Sequence, residues 1–328
     1  MKPLAPLLIA ALLLACAPAQ AAVRTLTLGA YTTPREAYGK AIIPAFQRYW
    51  KQKTGQEVRF QESYLGSGAQ ARAIAGGFEA DVAALSLEAD IDSIAHAGLI
   101  RHDWHAGPTH GMVSRSVVVI AVRKGNPKAI HDWNDLVRHG LEVLTPNVRT
   151  SGGAKWNVCA LYGATLRSSG AVAAEALLRG VLRNVTVMDK GARESMINFE
   201  KGVGDVAITY ENEVLVGRRA GETYDYVVPR ATILIENPAA VIDKYADKHG
   251  NRDLAEAFVA YLTTAEAQHA FAAYGLRPVD AGVAKEVATQ FPAVRELFTI
   301  RDLGGWDQIE KTLFGPTGAY ERAMAATR

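Results

Sequence analysis

The sequence has very little cysteine, with only Cys16 and Cys159 among its 328 residues. Cys16 falls in an apolar N-terminal segment, so removal of that segment would leave Cys159 alone and no intramolecular disulfide. Stability must then come from packing. About 300 remaining residues are enough for two hydrophobic cores of ordinary domain size, so we predict two lobes.

Blocks of like charge are also missing. The formal net charge is +2, and acidic and basic residues are scattered along the chain. A nucleic-acid or anionic-membrane surface needs a concentrated field of one sign. We therefore predict no nucleic-acid partner, and any binding chemistry must be local.

No apolar run has the ~20 residues that a spanning helix needs. The longest candidate, residues 4–15, is interrupted by Pro6, follows Met1-Lys2 and leads to small residues at 19–22, which is typical of a secretory signal peptide. A membrane anchor is one alternative. Another is a lipobox ending at Cys16, which would carry a lipid. We favour residues 1–22 as a cleaved signal and a soluble, exported, periplasmic product.

Motifs for catalysis or metal binding are absent. Gly66-Ser67-Gly68 lacks the ending of a P-loop, the third glycine of a dinucleotide fingerprint and the spacing of a nucleophile elbow. His102, His105 and His110 share a Gly/Pro loop without metal-ligand spacing, so a solvated loop is favoured. Glu211 and Glu213 lie two apart near a predicted strand end, which favours opposite faces and structural salt links. No catalytic residue, cofactor or metal is predicted.

Short β-branched runs alternate with helical stretches, which predicts an α/β fold. The apolar run from Ser116 to Val122 reads as a strand crossing between lobes, with a return crossing near Ile208 to Asn212. The predicted division is residues 23–115 and 211–328 for a discontinuous first lobe, and 116–210 for the second. Helices near 253–274 and 306–327 are expected to cover the first lobe.

Four segments share one predicted design: a strand, a turn of small residues with hydroxyls or glycines, and then the start of a helix. A helix N-terminus exposes unpaired N–H groups and the positive end of the helix dipole, so four such ends could converge on one anion. Each serine or threonine could instead simply cap its own helix. Their recurrence favours an anion site. The segments are 63–70, 150–156, 191–195 and 31–36.

Together these segments resemble the periplasmic sulfate- and thiosulfate-binding proteins of ABC importers. The resemblance is carried most strongly by Val122-Arg123-Lys124-Gly125-Asn126-Pro127-Lys128 and by Ile130 to Leu136, and it runs from about Leu26 to the C-terminus. It implies a type II periplasmic binding protein fold, with two α/β lobes, crossover hinge strands and a ligand cleft. It also implies a monomer that captures sulfate or a related tetrahedral oxyanion and delivers it to the importer's permease.

The resemblance further implies which residues hold the anion. The predicted ligand-binding residues are Ser67, Ser151, Gly152, Gly153, Ala192 and Tyr210, with Thr32, Lys155 and Arg193 as supporting groups nearby. Fully ionised sulfate only accepts hydrogen bonds, so a pocket of donors suits it and disfavours a protonated anion.

Three positions depart from the family pattern, which usually has tryptophan at Tyr210, aspartate at Thr32 and arginine at Lys155. A phenol both donates and accepts, so these departures leave the preferred oxyanion open. An exported enzyme acting on a sulfated or phosphorylated substrate is the alternative from another class, and a structural or adhesive exported protein ranks third.

Overall fold

The computed structural model describes residues 23–327, so the predicted signal peptide and Cys16 lie outside the described residues. The strands are β1 Arg24–Tyr31, β2 Val58–Leu65, β3 Val82–Ala84, β4 Met112–Val122, β5 Val143–Leu144, β6 Val185–Val187, β7 Val206–Tyr210, β8 Asp225–Val227, β9 Ala231–Val241 and β10 Glu296–Phe298.

The α-helices are α1 Arg35–Ala37, α2 Ile43–Thr54, α3 Ser67–Ala75, α4 Glu88–His96, α5 Gly152–Arg183, α6 Ala192–Glu200, α7 Glu211–Arg219, α8 Asp243–Lys248, α9 Arg252–Tyr261, α10 Ala265–Ala273, α11 Ala281–Glu286, α12 Gly305–Ile309 and α13 Ala319–Ala325. Wider π turns cover Tyr38–Ile42 and Glu310–Phe314, and 3-10 turns cover Trp133–Val137, Ala288–Gln290 and Arg301–Leu303.

The strands are hydrogen-bonded in the order β2-β1-β3-β9-β4-β7-β5-β6, with β10 beside β9 and β8 beside β4. β1, β2 and β3 are parallel, as are β5, β6 and β7. β4 runs antiparallel to β7, β8 and β9, whereas β9 runs antiparallel to β3 and β4 and parallel to β10. Two groups of parallel strands are thus joined through an antiparallel pair. This is the mixed α/β architecture with two lobes that the sequence predicted.

The first lobe is built on β1 to β3 and is filled by aromatic and aliphatic side chains from both ends of the chain. Phe46 of α2 meets Phe258 of α9 with ring centroids 5.0 Å apart, and Tyr38 meets Phe271 of α10 at 5.7 Å. These edge-to-face contacts bring residues more than 200 positions apart into one core. Segments from both ends of the described residues therefore contribute to this core.

The second lobe is built on β5 to β8 and the long helix α5. Gly170 interrupts this helix because its φ is +82°. Glycine adopts this left-handed conformation without steric cost. Trp156 of α5 packs edge-on against Trp306 of α12, with centroids 4.8 Å apart, and Leu303 and Tyr320 join the same core.

The predicted division of the chain needs two corrections. Residues 296–325 pack on α5 in the second lobe, whereas the sequence assigned them to the first, because buried Trp306 and Phe298 find their partners there. The return crossing is β9, and not the segment 208–212, because β9 pairs with β4 and then with β3, while β7 pairs with β4 and β5. We place the hinge at β4 and β9.

The described part of the chain contains no helix whose length and apolar character would suit a membrane span.

Candidate functional site

Three helices of eight or more residues begin at one place between the lobes. They are α3, which starts at Ser67, α5, which starts at Gly152, and α6, which starts at Ala192. The amide of Ala69 donates to the carbonyl of Thr150 at 3.2 Å, and the hydroxyl of Thr150 donates to the carbonyl of Lys190 at 2.8 Å. These bonds tie the three helix starts together, so their positive ends share one small region.

The glycines at these starts allow the segments to approach closely. A Cβ on Gly153 would lie 2.7 Å from the ring of Tyr210 and 3.2 Å from the Cβ of Ala192. A Cβ on Gly191 would lie 3.3 Å from the hydroxyl of Thr32, which belongs to the fourth predicted turn. All four turns that the sequence singled out therefore meet in the cleft between the lobes.

The hydroxyl of Ser67 is engaged on two sides. It donates to the carboxylate of Asp90 at 2.5 Å and accepts from the amide of Ser86 at 2.9 Å. Burial raises the pKa of Asp90, and the hydrogen bond from Ser67 partly opposes this rise. Because a hydroxyl has one proton, Ser67 in this arrangement presents an oxygen lone pair, and not a proton, to any further partner.

Ser151 is the N-cap of α5. Its hydroxyl oxygen accepts from the amide of Ala154 at 3.3 Å, and the side chain is buried. Accepting this bond leaves the hydroxyl proton free, so capping the helix and donating to an anion are compatible. Ser151 can therefore be both the cap of its own helix and a hydrogen-bond donor to an anion, although the sequence presented these as alternatives.

Tyr210 ends β7 and lies directly before α7, with its ring beside Tyr31 at a centroid distance of 6.3 Å. Its hydroxyl is 2.6 Å from the hydroxyl of Ser86, and either oxygen can be the donor. Burial raises the pKa of Tyr210 far above its usual value, so the phenol is neutral. Tyr210 thus brings a neutral hydroxyl from the second lobe to the first.

The supporting charges are already paired. Lys155 lies 2.5 Å from Glu310, and Arg193 lies 2.9 Å from Glu36 and 3.1 Å from Glu213. The Arg193–Glu36 contact crosses between the lobes. Both cations are therefore neutralised locally, and the field at the cleft comes chiefly from the helix ends.

Two of the loop histidines that the sequence offered as metal ligands are paired with carboxylates of their own. His102 contacts Asp243 at 2.8 Å, whereas His105 contacts Glu88 at 2.9 Å, so these loop histidines have separate partners. The side chains of His105, Glu88 and Asp92 have possible ligand atoms within 4.8 Å of one another, but Glu88 and His105 are already hydrogen-bonded to each other.

Glu211 and Glu213 directly follow the end of β7, near a strand end as predicted, but both lie in the first turn of α7, so the alternation of faces along a strand does not apply to them. Each is fully buried and faces an arginine, Glu211 with Arg277 at 2.7 Å and Glu213 with Arg193. The structure therefore places both carboxylates in salt links.

Sequence reasoning missed Ser86, Asp90 and Trp156. The indole of Trp156 and the amide of Asn237 both donate to the carbonyl of Ser86, at 2.9 and 3.1 Å. One signal could have identified Ser86: it lies two residues after β3, at the carboxyl end of a parallel strand, where ligands bind in open α/β sheets.

Comparison with known proteins identifies the family: residues 26–277 match the family described as bacterial extracellular solute-binding protein. The chain belongs to this family. It is accordingly a solute-binding protein and not an enzyme, so the alternative of an exported enzyme is not supported.

Individual relatives cover nearly the whole chain. The sulfate-binding protein of Synechococcus elongatus is 44% identical over 303 residues, which cover 92% of this chain and 86% of the relative. The sulfate-binding protein of Escherichia coli is 41% identical, covering 89% and 90%. The thiosulfate-binding protein of Pseudomonas aeruginosa is 35% identical, also covering 89% and 90%.

Among solved structures, the sulfate-binding protein SubI from Mycobacterium tuberculosis superposes with a TM-score of 0.83 at 39% identity, covering 89% of this chain and 100% of that one. A ferric binding protein from Campylobacter jejuni shares the fold at 14% identity, with a TM-score of 0.62 over 91% of this chain and 99% of that one. The two-lobed binding-protein fold is confirmed.

Proposed function

We propose that this protein is a periplasmic receptor that binds sulfate, or the related oxyanion thiosulfate, and delivers it to an ABC importer. The observation that carries the proposal is the meeting of three helix starts in an interlobe cleft, in a chain 35–44% identical to sulfate- and thiosulfate-binding proteins. Helix N-termini bind anions through free N–H groups and the helix dipole.

The proposed ligand contacts are those that the resemblance implied: Ser67, Ser151, Gly152, Gly153, Ala192 and Tyr210. Two of these proposed roles can be stated in more detail. Ser151 has a free proton for the anion, whereas the Ser67 proton is directed at Asp90, so Ser67 would contribute chiefly its backbone amide. Thr32 and Arg193 flank the cleft, and Lys155 acts at a distance through its pair with Glu310.

Several parts of the proposal concern the protein's setting. We propose that residues 1–22 direct export and are removed, which leaves a soluble periplasmic monomer without a lipid on Cys16. Closure of the lobes around the anion would present a continuous surface to the permease. The many hydrogen bonds that cross the cleft, such as Ala69 to Thr150, support such a closed form.

Isothermal titration calorimetry of residues 23–328 tests the proposal. Sulfate and thiosulfate should each bind saturably with one site per chain. If neither anion produced binding heat, the proposal of an oxyanion receptor would be rejected. Molybdate serves as a larger tetrahedral control, which a cleft closed around sulfate should bind more weakly.

A further inference from the structure

Ser86 and Tyr210 form a pair of hydroxyls that joins the two lobes inside the cleft. We infer that Ser86 is a specificity-determining residue, and that the Ser86–Tyr210 pair admits a tetrahedral oxyanion that carries a proton, such as hydrogen phosphate or hydrogen arsenate, alongside sulfate. This inference rests on the proposed function of the cleft as an oxyanion site.

The position of Ser86 is fixed from three directions. Its amide donates to Ser67 on α3, and its carbonyl accepts from Trp156 on α5 and from Asn237 on β9. These elements belong to the first lobe, the second lobe and the hinge. The backbone of Ser86 therefore has little freedom, and its side chain points in one direction.

That direction is toward the start of α5. A Cβ on Gly152 would lie 2.5 Å from the Ser86 hydroxyl oxygen and 2.7 Å from its Cβ, while a Cβ on Gly153 would meet the Tyr210 ring. The Ser86 hydroxyl and the Tyr210 ring thus lie over successive glycines of one helix N-terminus. An anion held by those glycine amides would be adjacent to both hydroxyls.

A count of protons shows what the pair can do. The two hydroxyl oxygens are 2.6 Å apart and carry two protons, of which one lies between them. If Ser86 donates, Tyr210 has a free proton for the anion. If Tyr210 donates to Ser86, the phenol oxygen presents a lone pair, and it can accept a hydrogen bond from a protonated oxygen of the anion. Ser86 makes this second arrangement possible because its hydroxyl oxygen accepts the hydrogen bond from the phenol.

The neighbouring Ser67 supplies a second acceptor. Its proton is directed at Asp90, and its oxygen keeps one lone pair after accepting from the Ser86 amide. A fully deprotonated dianion gains nothing from that lone pair, whereas a protonated oxyanion can donate to it. The polar groups of this cleft are therefore not donors alone.

The inference is tested by calorimetry at about pH 8, where sulfate and hydrogen phosphate both carry two negative charges and differ in one proton. The wild-type protein should bind hydrogen phosphate within ~100-fold of its sulfate affinity, because one hydrogen bond to a charged group is matched and not lost. Ser86→Ala should raise the ratio of sulfate to phosphate affinity by ~10-fold, because the phenol proton then has no acceptor.

The matched control is Ser116→Ala, which removes another buried serine hydroxyl, one without a hydrogen-bond partner among the described residues. It should leave the affinity ratio unchanged. Tyr210→Phe provides a second variant with a smaller demand on packing than tryptophan, and it should also favour sulfate over phosphate.

The outcomes separate the inference from the proposed function. Sulfate binding with hydrogen phosphate weaker by more than ~100-fold would overturn the inference and leave the sulfate receptor intact. An unchanged affinity ratio in Ser86→Ala would overturn the role of Ser86. Absence of binding by sulfate, thiosulfate and phosphate would reject both.

Discussion

The guanidinium of Arg193 lies 3.1 Å from the carboxylate of Glu213, which is fully buried, and the contact lacks the alignment of a hydrogen bond. Burial raises the pKa of Glu213 to about 7, and the charge of Arg193 opposes this rise only in part. Because Arg193 also reaches Glu36 in the first lobe, this carboxyl titrates beside an interlobe contact.

The first prediction concerns stability as a function of pH. A carboxyl whose pKa rises from 4.5 to about 7 on folding holds a proton that the unfolded chain has released. Its stabilising contribution is therefore present below about pH 4.5, falls as the pH rises toward 7 and is gone above that pH. Glu213→Gln should remove this dependence. Urea unfolding of both proteins between about pH 5 and 7.5 should show the wild type losing ~1–3 kcal/mol relative to the variant. Parallel profiles would contradict the raised pKa.

The second prediction concerns lobe closure at Gly66. A Cβ there would lie 2.5 Å from the carbonyl oxygen of Thr150 and 2.7 Å from that of Lys190, both in the second lobe. Gly66→Ala should hold the lobes apart and weaken sulfate binding by ~5–100-fold, with little change in the melting temperature of the free protein. Gly68→Ala is the control, because its nearest neighbour would be the flexible end of Arg72 at 3.4 Å. Equal affinities for the two variants would argue against the contact.

The third prediction separates capping from ligand binding at Ser151. Ser151→Ala should weaken sulfate binding by ~10-fold through loss of one donor, and it should lower the free energy of unfolding by ~1 kcal/mol through loss of the cap. Thr264→Ala removes a similar cap from α10, far from the cleft, where the hydroxyl accepts from Ala267 at 3.4 Å. The control should lose stability alone. Calorimetry and thermal melts distinguish the cases, and an unchanged affinity in Ser151→Ala would refute its role as a ligand donor.

Much of the fold was predictable because strand positions follow from local sequence. The β-branched runs at 117–122, 185–187 and 206–208 all lie in strands, and Asp132, a residue type that favours such positions, caps the 3-10 turn that follows it. The return crossing was not predictable in the same way. β9 contains Glu236-Asn237-Pro238, which reads as a turn, and Pro238 is tolerated where the register with β4 is irregular near Met112.

The candidate site was predictable where it depends on helix starts and not where it depends on tertiary contacts. Glycine and serine before a helix mark an anion-binding end in the sequence itself. The pairing of Ser86 with Tyr210 joins residues 124 positions apart, and nothing local to either one indicates the other. The docking of 296–325 on α5 likewise depends on which lobe offers a cavity for Trp306.

The fourth prediction concerns Lys155, whose charge is balanced by Glu310. Lys155→Met should change sulfate affinity by less than ~3-fold, because a neutralised charge adds little to an anion held by dipoles. Glu310→Gln should instead strengthen binding, because Lys155 then keeps its full charge near the cleft. A large loss of affinity in Lys155→Met, measured by calorimetry, would show that lysine contacts the anion directly.

The central claim is that an anion binds where α3, α5 and α6 begin. Co-crystallisation with selenate, a heavier analogue of sulfate, tests it through anomalous scattering. One selenium peak should appear with its oxygens ~3 Å from the amides of Gly153 and Ala192 and from the hydroxyl of Ser151. A peak elsewhere, or no peak from a protein that calorimetry shows to be saturated, would contradict the account.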